Sequence, residues 1–75
     1  MNRAYIVINT EMGCEKEVID SLSSIPEVKE IHEVHGVYDL IVRVEVKKMS
    51  KFEETVGEKV SSLDKVRSTL TMLVM

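Results

Sequence analysis

Residues 34–46 read Val34-His35-Gly36-Val37-Tyr38-Asp39-Leu40-Ile41-Val42-Arg43-Val44-Glu45-Val46. The last seven alternate with the period of two that marks a strand with one buried face, Val42, Val44 and Val46 falling on one side and Ile41 on the other. The residues ahead of them form a short connection. Gly36 permits a positive backbone torsion there, and Asp39 can accept bonds from nearby amides. Two features exceed what a turn requires. Tyr38 stands beside a carboxylate, and that carboxylate opens an apolar strand although aspartate is depleted in strands.

Working outward, the chain echoes itself at a shift of 38 positions: Ile6 and Ile8 fall on Val44 and Val46, Val18 on Val56, and Leu22-Ser23-Ser24-Ile25 on Val60-Ser61-Ser62-Leu63. Val28 then falls on Val66, and Val34 on Met72. Residues 4–9 alternate as residues 40–46 do, so Ala4, Ile6 and Ile8 share a face with Val42, Val44 and Val46. Val18, Leu22 and Ile25 recur at helical spacing, and so do Phe52, Val56, Val60 and Leu63; these stripes, with Met49, are read as core. Ser50-Lys51-Phe52-Glu53 has the pattern of a capping box starting a helix at Ser50, Gly57 signals close packing of that helix on its sheet, and Pro26 ends the first helix. The final run, residues 70–75, is apolar on both faces, as a strand covered on both sides would be.

Strand, helix, strand, repeated, predicts an α+β, ferredoxin-like βαββαβ fold over residues 1–75 as one domain, with a four-stranded antiparallel sheet and both helices on one face. On the other face the alternation sets Tyr5, Val7, Ile41, Leu73 and, with the register continued, Ile31. That cluster is too apolar to stay solvated, which predicts a sheet-to-sheet dimer of the α/β sandwich or dimeric α+β barrel type.

Size agrees: 75 residues bury only about 60% of the surface the unfolded chain exposes, so such a chain leans on a partner. With 44% apolar and 31% charged residues, the composition is that of an ordered globular protein rather than a disordered one. A net charge of −3, with cations scattered, provides no basic stripe to displace counterions from phosphates, so no direct nucleic-acid binding is expected. One cysteine, Cys14, closes no intrachain disulfide, and neither a signal peptide nor a run of about 18 apolar residues is present; a cytoplasmic protein without a membrane role is expected.

A ligand would explain the connection. The ammonium of an amino acid seeks a carboxylate such as Asp39, its carboxylate seeks amides on a bend that Gly36 keeps open, and Tyr38 forms a wall. At this point the sequence resembles the effector-binding (RAM) domain of the Lrp/AsnC transcription regulators. The resemblance covers essentially the whole chain: Ile25-Pro26-Glu27-Val28, the Val34-His35-Gly36-Val37-Tyr38-Asp39 turn leading into a strand, and the Val66-Arg67-Ser68-Thr69-Leu70-Thr71 entry to the last strand. It implies dimers that assemble into rings, an octamer or decamer, with amino acids or similar small effectors bound between dimers. The implied contacts are Gly36, Tyr38 and Asp39, with the Thr69 and Thr71 hydroxyls as further candidates. Family regulators carry a helix-turn-helix domain ahead of this region, whereas this sequence begins almost directly on its first strand. A stand-alone effector domain is therefore expected, either sensing amino acids itself or joining full-length Lrp/AsnC regulators.

The competing class is a small dimeric ferredoxin-like enzyme, of monooxygenase or isomerase type, which fold alone does not exclude. Such enzymes use aromatic and histidine-lined cavities, and one phenylalanine, two tyrosines and no tryptophan stock one poorly. His32 and His35, three apart, fall on opposite faces of a strand and do not converge on a metal. Cys14 at the start of the first helix is flanked by Glu15 and Glu17, which oppose a thiolate. Lys47, Lys48 and Lys51 read as a solvated rim or as a weak steer for an anionic partner. The expectation is a binding domain with no cofactor, no metal and no catalysis of its own.

Overall fold

The computed structural model describes residues 2–74. Its elements run β1 (Asn2–Thr10), α1 (Glu15–Ser23), β2 (Val28–Glu33), β3 (Leu40–Val46), α2 (Ser50–Glu53), which continues as a π-helical segment over Glu54–Val60, and β4 (Val66–Leu73). The strands form one sheet in the order β2-β3-β1-β4 with antiparallel pairing throughout, the ferredoxin-like α+β arrangement expected.

Alternation in the two central strands does what the sequence implies. Ala4, Ile6 and Ile8 of β1 and Leu40, Val42 and Val44 of β3 are fully buried, packed with Leu22 and Val60 from the helical layer. Truncating a side chain such as Leu22 would cost about 2–5 kcal/mol through lost transfer energy and a cavity. After Gly13, whose φ of +80° suits the turn closed by Cys14 N–H donating to the Glu11 carbonyl, α1 begins with Cys14 as its N-cap. It ends at Ser23, just before Pro26.

The second half departs from its counterpart. No capping box forms: Met49 is the N-cap, already helical at φ −56° and ψ −36°, and the amides of Lys51 and Phe52 donate to the carbonyls of Lys48 and Met49. First-turn donors are thereby satisfied without the Ser50 hydroxyl. Met49 itself is half exposed rather than core. Around Gly57 the coil widens to π geometry, with Ser61 N–H donating to the Val56 carbonyl at 2.9 Å. A Cβ on Gly57 would meet nothing within 4 Å, so this glycine is not there for close helix–sheet packing.

Two outer-strand positions fall on the face opposite to the one expected. Ile31 pairs with Val42 and Leu73 with Ala4, so both lie on the helix side. Lys29 is an extra residue between the Val28–Val44 and Glu30–Arg43 pairs, and this bulge resets the parity of β2. Leu73 sits in a strand apolar on both faces, where only the pairing partner fixes direction. The face away from the helices instead carries Tyr5, Val7 and Ile41 with Leu70 and Met72. Its other half is ionic: Arg43 bridges Glu45 and Glu30 (3.1 Å to the latter), and Glu30 also meets His32 at 3.3 Å. The Arg43 and His32 bonds hold the Glu30 carboxyl below its usual range. Strand β4, expected to be covered on both faces, is an uncovered edge: Leu70, Met72 and Leu73 are each about half exposed, as is Val74 just past its end, while Met75 of the expected run lies outside the described residues. No helix among the described residues is long and apolar enough to cross a membrane.

Candidate functional site

The turn between β2 and β3 holds Gly36 at φ +144°, a torsion that side-chain-bearing residues avoid, so the positive torsion expected there is present. The amides of residues 35–38 donate to no acceptor among the described residues, and Val37 at the turn's tip is 83% exposed. Asp39 then locks the turn to the sheet in three ways. Its amide donates to the Ile8 carbonyl (3.0 Å), its carbonyl accepts from Val34 N–H (2.9 Å), and its carboxylate Oδ2 accepts from Thr10 N–H at 2.8 Å and from the Thr10 hydroxyl at 3.4 Å. The aspartate at the head of a strand therefore plays a structural part, since it satisfies a buried amide at the end of β1. The other carboxylate oxygen, Oδ1, has no partner among the described residues.

A polar groove of about 430 Å³ lies against this carboxylate, lined by Asn9, Thr10, Val37, Asp39, Arg67 and Ser68. Its shape comes from a bulge. Asn9 pairs with Ser68 and Thr10 with Val66, leaving Arg67 as an extra residue on β4. Adjacent residues of a regular strand point to opposite faces; the bulge brings both Arg67 and Ser68 to one groove. Asn9 Nδ2 donates to Ser68 Oγ at 3.2 Å, fixing one wall.

Of the residues singled out in the sequence, Asp39 lines this groove, while Gly36 and Tyr38 shape the turn above it without lining it. Thr69 and Thr71 are not brought to it: they pair with Ile8 and Ile6 and so face the helix side, Thr69 sharing a 3.3 Å hydroxyl contact with Ser61 and Thr71 lining a different, apolar groove. Arg67, Asn9 and Thr10 were not marked by the sequence as site residues. The signal available for Arg67 was a lone cation at the entry to an otherwise uncharged strand.

Acid-base chemistry finds no constellation here. Cys14 caps α1, His32 pairs with Glu30 on the far face, and His35 is exposed in the turn. Among the described residues no three metal-ligating side chains cluster.

Residues 3–75 match the family described as Lrp/AsnC ligand binding domain. An uncharacterised HTH-type transcriptional regulator of Pyrococcus horikoshii is 31% identical over 71 residues, which is 95% of this chain and 45% of that protein. The chain thus spans less than half the length of the curated relatives it matches. Among solved structures, FFRP-DM1 superposes with a TM-score of 0.97 at 37% identity, each chain covered completely. The transcriptional regulator NMB0573 of Neisseria meningitidis, solved as an L-Met complex, shares the fold at a TM-score of 0.90 and 18% identity, over 99% of this chain and 49% of that one.

Proposed function

Because this chain belongs to the Lrp/AsnC ligand binding domain family, we propose that it takes up a free amino acid, or a similar small zwitterion, in the polar groove beside Asp39 and converts occupancy into assembly. The observation that carries this is the half-committed carboxylate: Asp39 Oδ2 is held by Thr10, while Oδ1, on a residue that lines the groove, has no partner among the described residues. An ammonium donates well to such an oxygen, and a charge-assisted bond of this kind is about twice as strong as a neutral one. The unengaged amides of residues 35–38, beside Gly36 and Tyr38, are available at the rim to a ligand or to a neighbouring protomer. Supporting the ligand class, a regulator of the same fold was solved with L-Met.

Assembly follows from uncovered apolar surface. Tyr5, Leu70 and Met72 form a strip along β1 and β4 that a second sheet would cover, giving a sheet-to-sheet dimer in which Val7 and Ile41 also take part. Further association into a ring, an octamer or decamer, would set the groove between dimers. A ligand touching two protomers stabilises the associated state by its differential affinity. Full-length Lrp/AsnC regulators would join through the same contacts, so their modulation belongs to this proposal. The enzyme alternative gains no support from Cys14 at the N-cap of α1, from His32 paired with Glu30, or from His35 exposed in the turn.

A thermal-shift screen over the twenty amino acids, followed by light scattering with and without each hit, tests the reading. A stabilising amino acid that changes the mass distribution is the expected result. No stabilisation by any of them would overturn effector binding, and turnover of a screened compound would favour the enzyme.

A further inference from the structure

Arg67 is the extra residue of the β4 bulge, and it lines the same groove as Asp39 while no ion pair joins the two. Among the described residues Arg67 enters no ion pair at all, and the cations that do, Arg43, Lys51, Lys59 and Lys65, do not line this groove. An acid and a base thus share one polar groove without neutralising each other. Bulges re-aim side chains and are over-represented next to sites that use them.

We infer that Arg67 is the residue that recognises the α-carboxylate, so that the groove reads both charges of a free α-amino acid, Arg67 taking the carboxylate and Asp39 the ammonium. The inference rests on the effector reading above and sharpens it, since backbone amides at the Gly36 bend would donate to a neutral carbonyl oxygen as well as to a carboxylate, without discriminating charge. A guanidinium instead matches a carboxylate with two parallel donors. Two consequences for specificity follow. An amine or an α-amide lacks the group that Arg67 binds, and a carboxylic acid without an amine lacks the group that Asp39 binds. The remaining lining, Asn9, Thr10, Val37 and Ser68, carries no charge, so a ligand with a charged side chain would find no partner for it; neutral amino acids are the preferred class.

Calorimetry decides this with three proteins, wild type, Arg67→Gln and Arg67→Lys, and two probes, the amino acid that stabilises the wild type best and its α-carboxamide. Arg67 is exposed, so both variants are expected to keep the wild-type melting temperature without ligand. The expected result is a loss of roughly tenfold or more in affinity for the amino acid in Arg67→Gln, partial recovery in Arg67→Lys, and weak carboxamide binding that is the same in all three. Amino-acid binding by Arg67→Gln within about twofold of wild type, or wild-type carboxamide binding as tight as the amino acid's, would overturn the assignment. The first of these outcomes leaves effector binding standing, whereas a wild type that binds no amino acid overturns both.

Discussion

Two grooves of almost equal size lie at opposite ends of β4, about 430 Å³ beside Arg67 and about 440 Å³ beside Thr71 and Leu73. Their chemistry separates them. Apart from Val37, the first is walled by side chains that donate or accept, with an acid and a base left apart; the second, between β4 and the π-helical segment, is lined by Phe52, Val56, Gly57 and Leu73 with Glu53 as its one charge. A polar ligand needs convergent groups to fix its orientation, and the apolar groove offers none beyond a single carboxylate and a threonine hydroxyl. Volume alone would not choose between them. The difference originates in the backbone: a bulge at one end of the strand turns two neighbouring residues the same way, while a widened coil at the other leaves Gly57 with open space.

The largest expected effect breaks the apolar side. Phe52 is buried, and Phe52→Ala should cost about 3–5 kcal/mol in chemical denaturation. Affinity of the folded variant for the amino acid should stay unchanged, and a large loss of affinity would mean that the two grooves are coupled.

Next come the Asp39 variants, which separate the structural and the binding roles of that carboxylate. Asp39→Ala leaves the Thr10 amide without its acceptor and should destabilise the fold by about 1–3 kcal/mol as well as abolish binding. Asp39→Asn keeps an acceptor oxygen for Thr10 and removes the charge, so its unfolding midpoint should lie close to wild type while amino-acid binding is lost. Retained binding by the asparagine variant would show that the ammonium is held elsewhere.

The smallest effect concerns an ion pair away from both grooves. Lys59 of the π-helical segment reaches Glu27 at 3.2 Å, and a backbone hydrogen bond together with this ion pair holds the Glu27 carboxyl below its usual value near 4.5. A carboxyl with a depressed folded-state pKa adds stability that is complete above the unfolded value and disappears as pH falls through the folded one. Glu27→Gln should therefore cost roughly 0.2–1 kcal/mol at neutral pH, and its thermal unfolding curve should converge on the wild type's in acid. A difference that persists at low pH would place the contribution in packing rather than charge.

Much of this architecture was legible because the central strands obey local rules. Residues 40–46 form the strand that their alternation implies, and Ala4, Ile6 and Ile8 face the same core as Val42 and Val44. The outer strands were less legible for a physical reason. Ile31 lies beyond a bulge that shifts parity by one residue, and residues 70–74 are apolar in both directions, so only pairing with β1 assigns Leu73 to the helix side. At the site, the sequence marked Asp39 as an aspartate out of place but could not show its bond to Thr10, 29 positions away. Arg67 required the bulge to be seen, because a regular strand would have pointed it away from Ser68.

The central claim is that the groove between Asp39 and Arg67 is where an effector sits, and amide chemical-shift mapping during an amino-acid titration tests it most directly. The largest changes are predicted to fall on Asn9, Thr10, Val37, Asp39 and Ser68, with Val56, Gly57 and Thr71 little affected. Changes confined to those three residues of the apolar groove, or none anywhere at saturating amino acid, would contradict it.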